Sequence, residues 1–120
     1  FLPFEVFTCS CVGDDEYLKK QFLDLEEKNH PKILKKEKKY HFGKLYNEFY
    51  FKHIELLKQT NIEFDLLYDS LGWIVFEEFV KNLENKDDYI FLYIHQGGVL
   101  GNKTMIERYK FKFPNSLESI

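Results

Sequence analysis

Two short clusters in this sequence combine residue types and spacing that could do chemistry. The first is Tyr68-Asp69, a phenol and a carboxylate that follow the alternating apolar residues Ile62, Phe64 and Leu66. The second is His95-Gln96-Gly97-Gly98, polar side chains followed by two residues that allow close backbone approach. Tyr68 can act as a general acid or base where its surroundings lower its pKa, and can equally be a core aromatic with a wetted hydroxyl. Asp69 can face a ligand or cap the helix that follows it. Gly97-Gly98-Val99-Leu100-Gly101 can cradle a phosphate through backbone amides and a helix N-terminus, or can be ordinary turn residues. It matches neither the dinucleotide fingerprint nor the P-loop, having no Gly-x-Gly start and no Gly-Lys-Ser/Thr end.

Other chemistries find no constellation. His30, His41, His53 and His95 share no short spacing, and Cys9-x-Cys11 stands without a second pair, so no metal centre is expected. A Gly-x-Ser-x-Gly elbow is missing, as is a cysteine flanked by a plausible histidine partner, which leaves hydrolase chemistry unsupported.

The elements that must position the two clusters follow from hydrophobic spacing. Phe4-Glu5-Val6-Phe7-Thr8-Cys9 reads as a strand, and Asp14 as the cap of a helix carrying Leu18, Phe22 and Leu25 to about residue 29. Residues 31–39, with Lys35-Lys36-Glu37-Lys38-Lys39, read as a solvated connection. Tyr46, Phe49, Tyr50, Ile54 and Leu57 recur at three and four, which predicts a helix over residues 42–59. Alternation predicts a strand over residues 62–68, and Trp73, Phe76, Phe79, Val80 and Leu83 a helix capped by Asp69 or Ser70. The apolar run Tyr89-Ile90-Phe91-Leu92-Tyr93-Ile94 is too short for a buried helix and reads as a central strand covered on both faces. A short helix over residues 104–110 and a loose tail at residues 113–116 complete the chain. Strands alternating with covering helices predict an α/β fold of three layers with a mainly parallel sheet. Ligands of such sheets bind outside the carboxyl ends of the strands, which places both clusters on one rim.

Composition sets the boundaries. The 120 residues suit one α/β domain spanning the chain, and 44% hydrophobic content supplies a core. A formal net charge of -3 with charges of both signs gives no broad cationic field, so nucleic acid is not an expected partner. No stretch reaches the roughly 18 apolar residues that span a bilayer, and Phe1-Leu2-Pro3-Phe4 lacks the basic region of a secretory signal. A cytoplasmic location is therefore expected, without a membrane partner, and Cys9 and Cys11, two apart on one strand and pointing to one side, suit a reducing compartment. The chain opens directly in an apolar run and Met105 is its only methionine, so a piece of a longer reading frame is expected.

Phe64-Asp65-Leu66-Leu67-Tyr68-Asp69-Ser70-Leu71-Gly72-Trp73 and Leu92-Tyr93-Ile94-His95-Gln96-Gly97-Gly98-Val99-Leu100-Gly101-Asn102 resemble the C-terminal signatures of the 1-aminocyclopropane-1-carboxylate deaminase and D-cysteine desulfhydrase family. Tyr40-His41-Phe42-Gly43-Lys44-Leu45-Tyr46 is similar to the stretch before that family's penultimate strands, so the resemblance covers most of the chain. It implies the tryptophan-synthase β-subunit type of fold and a pyridoxal phosphate cofactor held between two domains. It implies Tyr68 as the active-site tyrosine near a small amino-acid substrate. By the same resemblance Asp69 and Gln96 lie near the pyridine nitrogen, where a partner stabilises the protonated electron sink, and His95, Gly97 and Gly98 complete the cofactor-facing strand end.

Two departures accompany the resemblance. Ser70-Leu71-Gly72-Trp73 stands where the family often has Gly-Lys shortly after the tyrosine, and the Schiff-base lysine and phosphate-binding glycine loop belong to an N-terminal portion outside these 120 residues. The expectation is thus the C-terminal portion of a pyridoxal-phosphate-dependent lyase, inactive alone and complemented by an N-terminal portion. Two alternatives stand beside it. One is a non-catalytic or truncated interaction domain that self-associates through an exposed sheet edge; the other is a small nucleotide- or phosphate-binding α/β protein using residues 97–101.

Overall fold

The chain folds around helices whose apolar stripes follow the three-and-four spacing of the sequence. The computed structural model describes residues 4–25 and 29–117. In order they form β1 (Phe7–Thr8), α1 (Asp15–Asp24), β2 (Lys32–Ile33), α2 (Asn47–Thr60), α3 (Asp69–Lys81), a 3-10 turn (Lys86–Asp88), a second (Val99–Gly101), α4 (Asn102–Lys112) and α5 (Pro114–Leu117). The architecture is α/β, with β1 and β2 paired in parallel, Phe7 opposite Lys32 and Thr8 opposite Ile33. The amide hydrogens of Lys32 and Leu34 reach the carbonyls of Val6 and Thr8 at 3.0 and 2.7 Å.

Helix α2 buries Phe49, Tyr50, His53 and Leu56 and packs on α3, which buries Leu71 and Val75. Leu45, Tyr46, Leu66 and Tyr109 of α4 close the same core. Each buried side chain of this size contributes about 1.5–3 kcal/mol of transfer free energy. Tyr109, the most deeply placed aromatic, also accepts the amide hydrogen of Tyr46 on its hydroxyl at 3.2 Å, tying the start of α2 to α4. Asn61 ends α2 in the left-handed conformation, φ 56°, which asparagine tolerates better than most residues.

Several expectations need correction. Residues 62–68 are not a strand. Phe64, Asp65 and Leu66 are buried in succession, which no pleated strand with one wet face allows. The cause is Asp65, whose carboxylate turns inward to take the amide hydrogens of Leu67, Tyr68 and Asp69 at 3.3, 2.5 and 3.3 Å. This acid, rather than Asp69 or Ser70, caps α3, and Asp69 answers by accepting the amide hydrogen of Asp65 at 3.1 Å.

Residues 89–94 alternate in exposure but form no strand and pair with none among the described residues. Phe91 and Tyr93 lie against the Trp73 and Phe76 rings of α3, while Ile90, Leu92 and Ile94 point outward, Leu92 being 82% exposed. One face is covered, not two. The 31–39 connection is less solvated than its charge suggests, since it supplies β2 and its Lys36 side chain is largely buried. The tail expected to be loose forms α5. No helix among the described residues is long and apolar enough to cross a membrane.

His53 gives the core a pH dependence. Burial pushes its imidazole below the usual 6.5, with the Phe64 backbone and the nearby Glu63 and Asp65 charges pulling the other way, and its Nδ1 has no partner among the described residues. Above 6.5 the ring is neutral whether folded or unfolded, and its contribution is intact. As pH falls below that value the unfolded chain binds a proton that the core resists, and stability drops until pH passes the lowered folded-state pKa. The urea midpoint is expected to fall between about pH 7.5 and about pH 5.5, and His53→Leu to flatten that slope.

Candidate functional site

The site is built where the loop before α3 meets the loop before α4. Asp65 fixes the first of these loops through its cap on α3, as above, so the backbone of Tyr68 and Asp69 is held by hydrogen bonds that the Asp65-x-x-x-Asp69 spacing supplies. Asp69 lies in the first turn of α3 and is buried. Its Oδ1 accepts the Tyr93 hydroxyl at 2.8 Å and its Oδ2 the Asp65 amide at 3.1 Å, so both oxygens are engaged. Burial, followed by the Asp69 contact, pushes the Tyr93 phenol far above its ordinary range, which keeps it protonated and donating. Gly72 makes room for that pair: a Cβ there would stand 2.7 Å from the Tyr93 hydroxyl.

His95 is anchored at both ring nitrogens. Nε2 meets the carbonyl of Glu63 at 2.9 Å and Nδ1 accepts the Gly97 amide hydrogen at 3.0 Å, a pair of partners that selects the Nε2–H tautomer. The ring also packs on Phe64 at 4.8 Å between centroids. Gly97 and Gly98 take φ of 80° and 79°, consecutive left-handed positions that residues with a Cβ rarely adopt. Open space surrounds a Cβ at Gly97, and at Gly98 it would meet only Asp65 Cβ at 3.9 Å. Of the amides that a phosphate cradle over residues 97–101 would use, the Gly97 N–H is already committed to His95.

Asn102 locks the two loops together. It is 2% exposed at the start of α4, and its Oδ1 accepts the Leu66 amide hydrogen at 2.8 Å. Its Nδ2 donates to the Phe64 carbonyl at 3.0 Å and to Glu63 Oε1 at 2.9 Å. With Tyr93 on Asp69 and His95 on Glu63, three side chains from residues 93–102 grip the segment of residues 63–69. The sequence reading missed Asp65, Tyr93 and Asn102 in these roles. The available signals were an acid four residues before a second acid at a helix start, and an asparagine directly after a glycine turn.

What remains accessible is Tyr68, Gln96 and the outer surface of the diglycine. Tyr68 is 44% exposed, with its ring stacked on Phe42 at 6.1 Å and 19°. Gln96 is exposed. Of the six residues singled out from the sequence, Asp69 and His95 therefore serve to hold the loops, and Tyr68, Gln96, Gly97 and Gly98 present the surface. A cavity of about 510 Å³ lies elsewhere, between the 35–38 segment, α2 and α3, and none of the six lines it. No group of three or more His, Cys, Asp or Glu able to hold a metal ion exists among the described residues. No family model matches this chain, and no curated protein matches it.

Proposed function

We propose that the chain is the C-terminal portion of a pyridoxal-phosphate-dependent lyase acting on a small amino acid, of the 1-aminocyclopropane-1-carboxylate deaminase or D-cysteine desulfhydrase type. The observation that carries this reading is the direct bonding of two segments, residues 64–73 and 92–102, which are the two that resemble that family's signatures. Asn102 on Phe64 and Leu66, Tyr93 on Asp69 and His95 on Glu63 hold them as one unit.

The donor set fits the cofactor in part. Gln96 is free to hold a pyridine nitrogen by its side-chain amide, and the left-handed diglycine leaves space for a flat ring. Asp69 does not fit the role of pyridine partner, because both its oxygens are bound and buried. It acts instead behind the rim, orienting Tyr93 and the start of α3. Pyridoxal phosphate, when bound, supplies the electron sink for bond breaking at the substrate carbon. Tyr68 supplies the proton-moving hydroxyl, presented to solvent on a backbone that Asp65 fixes. The lysine that would carry the cofactor lies outside this chain in the proposal, and so does the phosphate site.

The bare side of residues 89–94 supports the same reading. Ile90, Leu92 and Ile94 form an exposed apolar row on a segment without a pairing partner among the described residues, as a strand does when its sheet continues in another portion of the protein. A three-layer fold of the tryptophan-synthase β type would supply that cover. The alternatives of a free-standing interaction domain and of a phosphate-binding protein draw less support. The first explains the bare row but not the site, and the second loses the Gly97 amide to His95.

The test on the chain itself is incubation with pyridoxal phosphate, borohydride reduction and mapping of any labelled lysine. The expected result is labelling spread thinly over surface lysines, with no saturable site. A single stoichiometric lysine adduct would contradict the division of the pocket proposed here.

A further inference from the structure

The cavity of about 510 Å³ between α2, α3 and the 35–38 segment has a size that suits a small organic ligand. Its walls follow from helical spacing. Glu48, Phe51, Lys52 and Glu55 stand at three and four along one face of α2, and Ile74 and Val75 stand four and three residues before Glu78 on α3. Val75 is buried and Ile74 partly so, which gives the cavity an apolar floor. Phe51 leaves its ring 42% exposed on the wall, apolar surface that the fold does not cover.

The charges around this cavity are unevenly committed. Lys38 Nζ lies on Glu48 at 2.9 Å, and the largely buried Lys52 Nζ lies on Glu55 and Glu77 at 2.6 and 2.8 Å. Lys36 turns its ammonium to the Ser10 carbonyl at 2.7 Å and to Asp15 at 3.9 Å. Among the described residues Glu37 and Glu78 have no such cation, and Glu78 receives only the neutral Asn82 side-chain amide, on Oε1 at 3.1 Å. Lys35, exposed, is the lining lysine without an ion pair among the described residues. Two carboxylates against one ammonium leave the opening with an excess of negative charge.

We propose that this cavity binds a small amphipathic organic cation, a primary amine with an aromatic or aliphatic body. The ammonium lies at Glu37 and Glu78, and the body rests on Phe51, Ile74 and Val75. Three N–H donors on a primary ammonium can serve carboxylates on both the connection and α3, and the Phe51 ring face attracts the same charge. An anion of the same shape meets lysines whose ammonium groups are already engaged by Glu48, Glu55, Glu77 and Ser10. A neutral ligand gains the apolar wall and leaves both carboxylates unanswered. Tyr68, Asp69, His95, Gln96, Gly97 and Gly98 line no part of this cavity, so the site stands or falls apart from the cofactor rim.

The experiment titrates the isotope-labelled 120-residue chain with phenethylamine and follows the backbone amides by NMR. Saturable shifts are expected at residues 35–38, 48–55 and 74–78, with a Kd of about 1 mM for a ligand of this size. Phenylacetate, with the same ring and the opposite charge, and the neutral phenethyl alcohol should each bind at least about tenfold more weakly. Combining Glu37→Gln with Glu78→Gln should weaken phenethylamine about tenfold. Asp87→Asn with Asp88→Asn, which removes the same charge from exposed residues of the first 3-10 turn, should leave its affinity unchanged. The proposal is overturned by any of four results: no saturable shift up to about 20 mM amine, shifts centred outside the cavity, phenylacetate or phenethyl alcohol binding as tightly as the amine, or a folded glutamine double variant that binds it undiminished. The three ligands on the unmutated chain decide the matter even where that variant fails to fold.

Discussion

Asn102→Ala is expected to cost about 3 kcal/mol or more of stability, read as a lowered urea midpoint at unchanged slope. The side chain is a donor and an acceptor at once, and alanine removes both ends. The Leu66 amide hydrogen and the Phe64 carbonyl it now satisfies belong to residues 0% and 5% exposed, so water cannot replace it without opening the core. Each buried polar group left unpaired costs about 1–3 kcal/mol, and the Glu63 carboxylate loses its donor as well. Asn102→Asp separates the contributions. It keeps the acceptor for Leu66, loses the donors to Phe64 and Glu63, and sets a second carboxylate against Glu63, so it should also destabilise. Lys103→Ala next to it, on an exposed side chain, should stay within about 0.5 kcal/mol. A loss at Asn102 no greater than at Lys103 would mean that the two loops are not joined through this residue.

The helices were legible because their apolar residues repeat with the helical period and face one core: Phe49, Tyr50 and Leu56 in α2, Leu71 and Val75 in α3. The neighbourhood of the two clusters was legible too, though for a different reason from the one the sequence suggests. A parallel sheet was expected to bring the strand ends together; side-chain hydrogen bonds from Tyr93, His95 and Asn102 do so instead. Alternation in residues 62–68 misled because period-two spacing records only apolar positions, whereas Asp65 follows a local rule, turning inward to serve three amide hydrogens. Asp69 misled in the other direction. A carboxylate after a tyrosine reads as chemistry, and only the positions of Asp65 and Tyr93 reveal that both its oxygens are committed. Residues 89–94 read as strand from composition, and their side chains alternate in exposure, yet they form no strand among the described residues; pairing is a property of what lies beside them, which no local pattern encodes.

The second large effect concerns Tyr68. Tyr68→Phe removes one hydroxyl while leaving the ring stacked on Phe42 and the backbone N–H on Asp65, so the fold should be unchanged by circular dichroism and urea melting. A phenol that moves a proton in the reaction is worth about 100-fold in rate or more, and a core-like tyrosine with a wet hydroxyl is worth nothing. Gln96→Ala, on an exposed side chain, should weaken cofactor retention without altering stability.

These expectations meet in one measurement: release of ammonia from 1-aminocyclopropane-1-carboxylate and from D-cysteine by this chain joined to a family N-terminal portion that carries the Schiff-base lysine. The expected result is turnover by the joined protein, none by either part, and a loss of about 100-fold on Tyr68→Phe. A folded, joined protein that takes up no pyridoxal phosphate, or one whose turnover is indifferent to both Tyr68→Phe and Gln96→Ala, would contradict the assignment of this rim to half of a cofactor pocket.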